Sequence, residues 1–237
     1  MTSRTTDTSP LIYARVAGAV FLILLVCGPF SIVYVPSQLI VPGDATATAN
    51  NIMASESLFR AGIIGEAIIF LSEIVMVVVL YVLLKPASKT LSLIAAFARL
   101  TMAIIQGINM LSSVAVLLLL SGAGYLTAFE PVQLHALVLL FVNSHEFGVI
   151  IWQMVFGLHC LVLGYLIFKS GYFPRSLGIM MIIASIGYLT DSFGNLFSSH
   201  YKEMFGWIVT MTVYGEFPFF LWLLFKGVNI QQWHDRS

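Results

Sequence analysis

Long apolar stretches separated by short polar breaks organise this chain. Six can be read, at about 12–35, 59–84, 90–121, 133–168, 175–198 and 204–226. A helix rises about 1.5 Å per residue and a bilayer's hydrocarbon core is about 30 Å thick, so about 20 apolar residues suffice to cross it. The pattern predicts an all-α polytopic bundle of six transmembrane helices, a single transmembrane domain over 1–237. The fourth stretch is longer than a crossing needs, about 54 Å if helical throughout. Counted back from Lys169, its membrane part begins near His145. Residues 131–144 are then an outer extension or a surface helix, with Pro131 suited to a first turn. The first stretch exceeds a signal-peptide core and has no small-residue cleavage site close behind it, so it is expected to remain as an anchor.

Only one connection is long, the outer loop 36–58. Pro42-Gly43 predicts a turn and Asp44 an N-cap for an Ala-rich helical turn or two. A connector with a capped helix is the simpler expectation, and a lid over a cavity the alternative. Pro218 predicts a kink in the sixth span. Gly157 with Gly164, and Gly187 with Gly194, are seven residues apart and predict close helix packing. Tyr34, Tyr201 and Trp207 suit the outer interface, and Tyr172 and Trp222 the inner one.

Charge then orients the bundle. Arg4, Arg15, Lys85, Lys89, Lys169, Arg175, Lys226 and Arg236, eight of the eleven basic residues, fall on one side of the six spans. The other side holds Arg60 and Lys202. The positive-inside rule places both termini in the cytoplasm. The chain is 59% hydrophobic and 9% charged, with no formal net charge. A mean hydropathy of +0.96 leaves little for a soluble domain, and nothing points to nucleic acid. The lipid bilayer is the expected partner. Cys27 and Cys160 read as small buried hydrophobes.

Against that background, Glu66, Glu73, Arg99, Asp191 and Glu216 stand out, all inside apolar spans. Insertion scales set the cost of such a charge at about 2.5 to 3.5 kcal/mol, which is rarely incurred without use. Rise per residue sorts them by depth into two layers. Arg99 shares the middle of the membrane with Glu73 and Glu216, where an ion pair with polar neighbours would fix helix register. Gln106, Asn109 and Ser113 continue the polar side of the Arg99 span. The outer layer holds Glu66, Asp191 and the His145-Glu146 pair, and only Arg60 is near enough to balance them. Crowded acids suit proton relays, cation sites or acid–base work; solvation of Glu66 and Glu146 at the outer surface is the alternative.

Other chemistry fits poorly. His145 and His159 share one helix face fourteen residues apart, as haem ligands in quinol-oxidising cytochromes do. No other span supplies the second axial histidine, and no cofactor is predicted. About 21 Å of helix between them excludes a shared metal. A metal held by His145, Asp191 and Glu66, in the manner of intramembrane hydrolases of the ceramidase type, is the alternative. No His-Glu-x-x-His helix, Ser-His-Asp motif, phosphate loop or dinucleotide fingerprint is present.

Several local patterns occur together: Val41-Pro-Gly-Asp44 with Ala45-Thr-Ala-Thr-Ala-Asn-Asn-Ile52, Ser57-Leu-Phe-Arg60, His145-Glu-Phe-Gly148, Phe173-Pro-Arg-Ser-Leu-Gly178, Gly187-Tyr-Leu-Thr-Asp191, and Gly215-Glu216 before Trp222. In this combination the chain resembles the bacterial membrane family known as domain of unknown function 4386, from about Tyr13 to Gly227. In that family His145 is usually followed by Asp, where this chain has Glu146, and Glu66 and Glu73 align with acids. The resemblance implies a bacterial inner-membrane protein of about six helices and no particular activity.

The expected function is a carrier or sensor that binds a proton, cation or small polar ligand in an outward-facing cavity through Glu66, His145, Glu146 and Asp191. Arg99, Glu73 and Glu216 support it. An intramembrane metal-dependent hydrolase and a structural membrane scaffold are the alternatives.

Overall fold

The structure, a computed structural model, describes residues 9–198, 201 and 214–236. Arg4, Lys202, Trp207 and the part of the sixth predicted span before Tyr214 lie outside the described residues. Among the described residues, every regular element is helical: α1 (Pro10–Gly28), α2 (Val35–Leu39), α3 (Ala45–Ala54), α4 (Glu56–Leu84), α5 (Lys89–Leu119), α6 (Pro131–Ser170), α7 (Arg175–Phe197), α8 (Phe217–Phe225) and α9 (Ile230–His234). A π-helical turn, Pro29–Tyr34, joins α1 to α2, so the first apolar helix runs on from Pro10 to Leu39. That helix and α4, α5, α6 and α7 are each long and apolar enough to cross a membrane, at 30, 29, 31, 40 and 23 residues. The chain is thus an all-helical protein with the helices of a multi-pass membrane protein. The described part of the sixth span, Tyr214–Phe225, is a shorter apolar helix.

Local structure bears on three expectations. First, α6 is one uninterrupted helix of 40 residues, about 60 Å long, so of the two readings of 131–144 the extension holds, and it is helical. Its start at Pro131 follows from a ring that fixes φ where no N–H is needed. Second, the predicted outer loop 36–58 shrinks to residues 40–44 between α2 and α3. Gly43 takes φ +78°, a left-handed conformation that glycine adopts without strain. Asp44 accepts from Ala47 N at 2.8 Å and caps α3. The Thr48 hydroxyl accepts from Val41 N at 3.0 Å and donates to Val41 O at 3.2 Å, and Asn51 Nδ2 donates to Leu39 O at 3.3 Å. Third, the kink expected at Pro218 depends on the span before Tyr214, which lies outside the described residues. A 3₁₀ turn, Tyr214–Glu216, gives way to α8, and Pro218 sits in the first turn of α8.

Backbone proximity divides the chain into two compact units. One comprises Met1–Leu22, Glu73–Met102 and Gln153–Ser237; the other comprises Ile23–Ser72 and Ala103–Trp152.

In the first unit, Gly164 of α6 meets Gly178 of α7. A Cβ on Gly164 would stand 2.8 Å from the Gly178 carbonyl oxygen, so only glycine permits this approach. Tyr172, expected at the inner interface, is instead buried. Its hydroxyl donates to Leu83 O at 2.9 Å, as does Trp233 Nε1 at 3.0 Å, which satisfies a carbonyl left open at the end of α4. Burial pushes the Tyr172 phenol well above its ordinary pKa. Phe21 stacks on Phe220 with centroids 4.3 Å apart and meets Phe217 edge-on.

The second unit has its own apolar core of Val35, Leu39, Ala49, Ile52, Phe59, Val116 and Val138. The Ala-Thr-Ala-Thr-Ala-Asn-Asn-Ile pattern is thereby explained: Asp44 caps, Thr48 and Asn51 bind the loop, and Ala49 and Ile52 enter the core.

Candidate functional site

The intramembrane charges sort themselves between the two units. In the second unit, His145 Nε2 and Glu66 Oε2 share a hydrogen bond of 3.0 Å, joining α6 to α4. Glu66 is buried and His145 half-buried. Asn109 of α5 donates from Nδ2 to His145 O at 2.9 Å. A Cβ on Gly148 would overlap the Asn109 side-chain amide, so this glycine admits the bond that anchors the histidine one turn earlier. The His145-Glu-Phe-Gly148 pattern therefore combines a functional side chain with the gap that lets it be held. Glu146, by contrast, is exposed and lines neither cavity beside the pair.

Two cavities adjoin Glu66 and His145. One is a partly open cleft of about 460 Å³ when space open to solvent is included, lined chiefly by apolar residues including Leu39, Phe59, Ile63, Val116 and Phe141, with Ser31, Ser113, Glu66 and His145 as its polar groups. The other, about 260 Å³ on the same basis, is lined by Ile32, Gln106, Asn109, Val149 and Trp152 together with the same Glu66 and His145. Ser31 belongs to the π-helical turn. Pro29 has no N–H to offer the preceding turn, a common cause of such irregularity. Ser31 is 3% exposed and Gln106 6%, and neither the Ser31 hydroxyl nor Gln106 Oε1 finds a hydrogen-bond partner in the protein. A Cβ on Gly65 would overlap the Ser31 hydroxyl, so Gly65 beside Glu66 is what lets Ser31 approach. Ser31 escaped the sequence reading; the Gly28-Pro29 step inside an apolar span was the available signal.

Asp191 belongs to the first unit, where its carboxylate accepts from Gln153 Nε2 at 2.7 Å. Of the three donors proposed for a metal, His145 and Glu66 belong to the second unit and Asp191 to the first. Among the described residues no three His, Cys, Asp or Glu side chains converge as metal ligands.

Arg99, Glu73 and Glu216 share the first unit. Arg99 Nε donates to Glu73 Oε2 at 2.6 Å, with the two residues 2% and 3% exposed, so neither charge has water to fall back on. A second Arg99 nitrogen donates to His159 Nε2 at 3.0 Å, while His159 Nδ1 lies 2.8 Å from Ala95 O. A guanidinium can only donate and a carbonyl only accept, so these contacts fix the neutral Nδ1–H tautomer of His159. His159 is thus an acceptor for a buried arginine. The Phe156 ring centroid lies 5.6 Å from the same guanidinium. Glu216 accepts from the Tyr188 hydroxyl at 2.7 Å. A Cβ on Gly215 would stand 2.5 Å from Met180 O, so Gly215 sets the approach to α7 that presents Glu216 to Tyr188.

Comparison with known proteins agrees with the resemblance seen in the local patterns. The chain is 31% identical over 170 residues to an uncharacterized protein of Archaeoglobus fulgidus, covering 72% of this chain and 86% of the archaeal one. No solved structure matches. The sequence pattern of the family described as Domain of unknown function (DUF4386) matches residues 16–227, and the chain belongs to that family.

Proposed function

We propose that this protein is a carrier or sensor that takes up a proton or cation at the Glu66–His145 pair. The observation that carries the proposal is a buried carboxylate bonded to an imidazole at 3.0 Å, with cavity space adjoining both groups. Both side chains can exchange a proton, and either can change charge when a cation arrives, which a fixed arginine–carboxylate pair cannot do. In this proposal the protein has six transmembrane helices with both termini in the cytoplasm, and resides in the cytoplasmic membrane of a prokaryote. The basic residues at the ends of the apolar helices support that orientation, under which the Glu66 cleft opens outward.

We confine the proposed site to Glu66 and His145 because these two line the same cavities; Asp191 accepts from Gln153 and Glu146 is exposed. The hydrolase alternative is not carried forward, because among the described residues no three His, Cys, Asp or Glu side chains converge as metal ligands. The scaffold alternative describes the Arg99 network well and leaves the adjoining cavities without a role.

Proton and monovalent-cation flux into proteoliposomes tests the proposal. Glu66→Gln and His145→Asn should each reduce flux or cation response at least tenfold while the protein unfolds at an unchanged temperature. Asp191→Asn should retain the wild-type response. Equal responses in wild type and Glu66→Gln would remove the proposed site.

A further inference from the structure

We infer that the Glu66 cleft binds a lipophilic organic amine in its ammonium form, with the hydrocarbon body against the apolar wall and the ammonium at Glu66. The inference rests on the carrier-or-sensor reading and adds a ligand class to it.

Three observations lead to this class. The cleft is mostly apolar: Leu39, Ile40, Phe59, Ile63, Val116 and Phe141 offer no group to a hydrated inorganic ion, but they suit a hydrocarbon. Its only side chain able to carry full negative charge is Glu66, and no lysine or arginine lines either cavity, so an anionic amphiphile would face a carboxylate with only the His145 imidazole beside it. Two polar atoms beside the pair can accept a donor from a ligand. Gln106 Oε1 has no donor, and the Ser31 hydroxyl, which can accept as well as donate, has no partner. A buried polar atom left unpaired costs about 1 to 3 kcal/mol, so a ligand that donates to it recovers part of that cost.

An ammonium has donors and no acceptors. It satisfies the Glu66 carboxylate and Ser31 together from the cleft side. Glu66 and His145 also line the smaller cavity, where Gln106 Oε1 stands, so donors directed past the pair meet a further acceptor. The contact that His145 makes with the carboxylate is one that the ammonium can take over on binding. Apolar burial and charge pairing then select the same molecule from its two ends.

Equilibrium binding of radiolabelled octylamine to purified protein in nanodiscs tests the inference, with nanodiscs lacking protein correcting for partition into lipid. Saturable octylamine binding is expected, weakened at least tenfold in Glu66→Gln and severalfold in Ser31→Ala, with thermal unfolding unchanged. Octanoate should not compete, and octanol should compete at least tenfold more weakly than octylamine. Val142→Phe narrows the apolar wall without touching the carboxylate, and should shift the preference among alkylamines toward shorter chains. Competition by octanoate equal to that by octylamine, or octylamine binding unaffected by Glu66→Gln, would overturn the inference. Absence of saturable amine binding overturns it too, while a cation flux that still depends on Glu66 would leave the proposed function standing. Loss of both would remove both.

Discussion

Arg99 shows how a charge is made tolerable where water is absent. Glu73 takes one of its donors, His159 a second, and the Phe156 ring lies within cation–π range. Removing one member of such a pair leaves the other charge buried and unbalanced, which costs about 3 to 5 kcal/mol, whereas replacing both by apolar side chains is often neutral. Arg99→Met should therefore lower stability in detergent by roughly that amount, and Arg99→Met with Glu73→Leu should recover most of it; equal loss in both would deny the pairing its role. At the second site, Gly148→Ala displaces the Asn109 amide from the His145 carbonyl. Thermal unfolding should show a loss of about 1 to 3 kcal/mol, relieved in part by Asn109→Ala. The sequence placed Arg99 with Glu73 because depth follows directly from rise per residue. It put Glu66 and His145 at one level for the same reason, and Asp191 with them, since depth carries no information on which helix faces which. His159 went unrecognised as the arginine's acceptor because a histidine on an apolar face first invites comparison with metal and haem ligands.

At the scale of elements, apolar periodicity located the long helices to within a few residues, while their ends and irregularities depended on local chemistry. Asp44 signalled α3 because an N-cap is a side-chain property readable from the residue itself. Asp44→Ala should cost about 1 kcal/mol in an unfolding measurement, and Thr48→Val, which removes both bonds to Val41, at least as much. The loop 36–58 was read as far longer than it is, because Val35–Leu39 and Ala45–Ala54 are too short to show periodicity. The π-helical turn at Pro29–Tyr34 was not legible, since an apolar run looks the same in either helical register. Its consequence is that Ser31, placed by that turn, faces Gly65 and the cleft.

For the whole molecule, composition and apolar length were enough for an all-helical membrane protein, and the combined local patterns for its family. The proposed orientation makes a separate prediction. A cysteine introduced as Thr46→Cys, on α3, should react with a membrane-impermeant maleimide from outside the cell, and Lys89→Cys only after the membrane is opened; the reverse pattern would invert the cleft. The functional claim rests on one pair of side chains, and infrared difference spectroscopy reads that pair directly. Reconstituted protein exchanged between two pH values, or with and without cation, should show carboxyl and imidazole bands that change together. Glu66→Gln should abolish the carboxyl band and His145→Asn the imidazole band, while Asp191→Asn leaves both in place. A carboxyl band that survives Glu66→Gln, or disappears only in Asp191→Asn, would contradict a proton or cation site at Glu66 and His145.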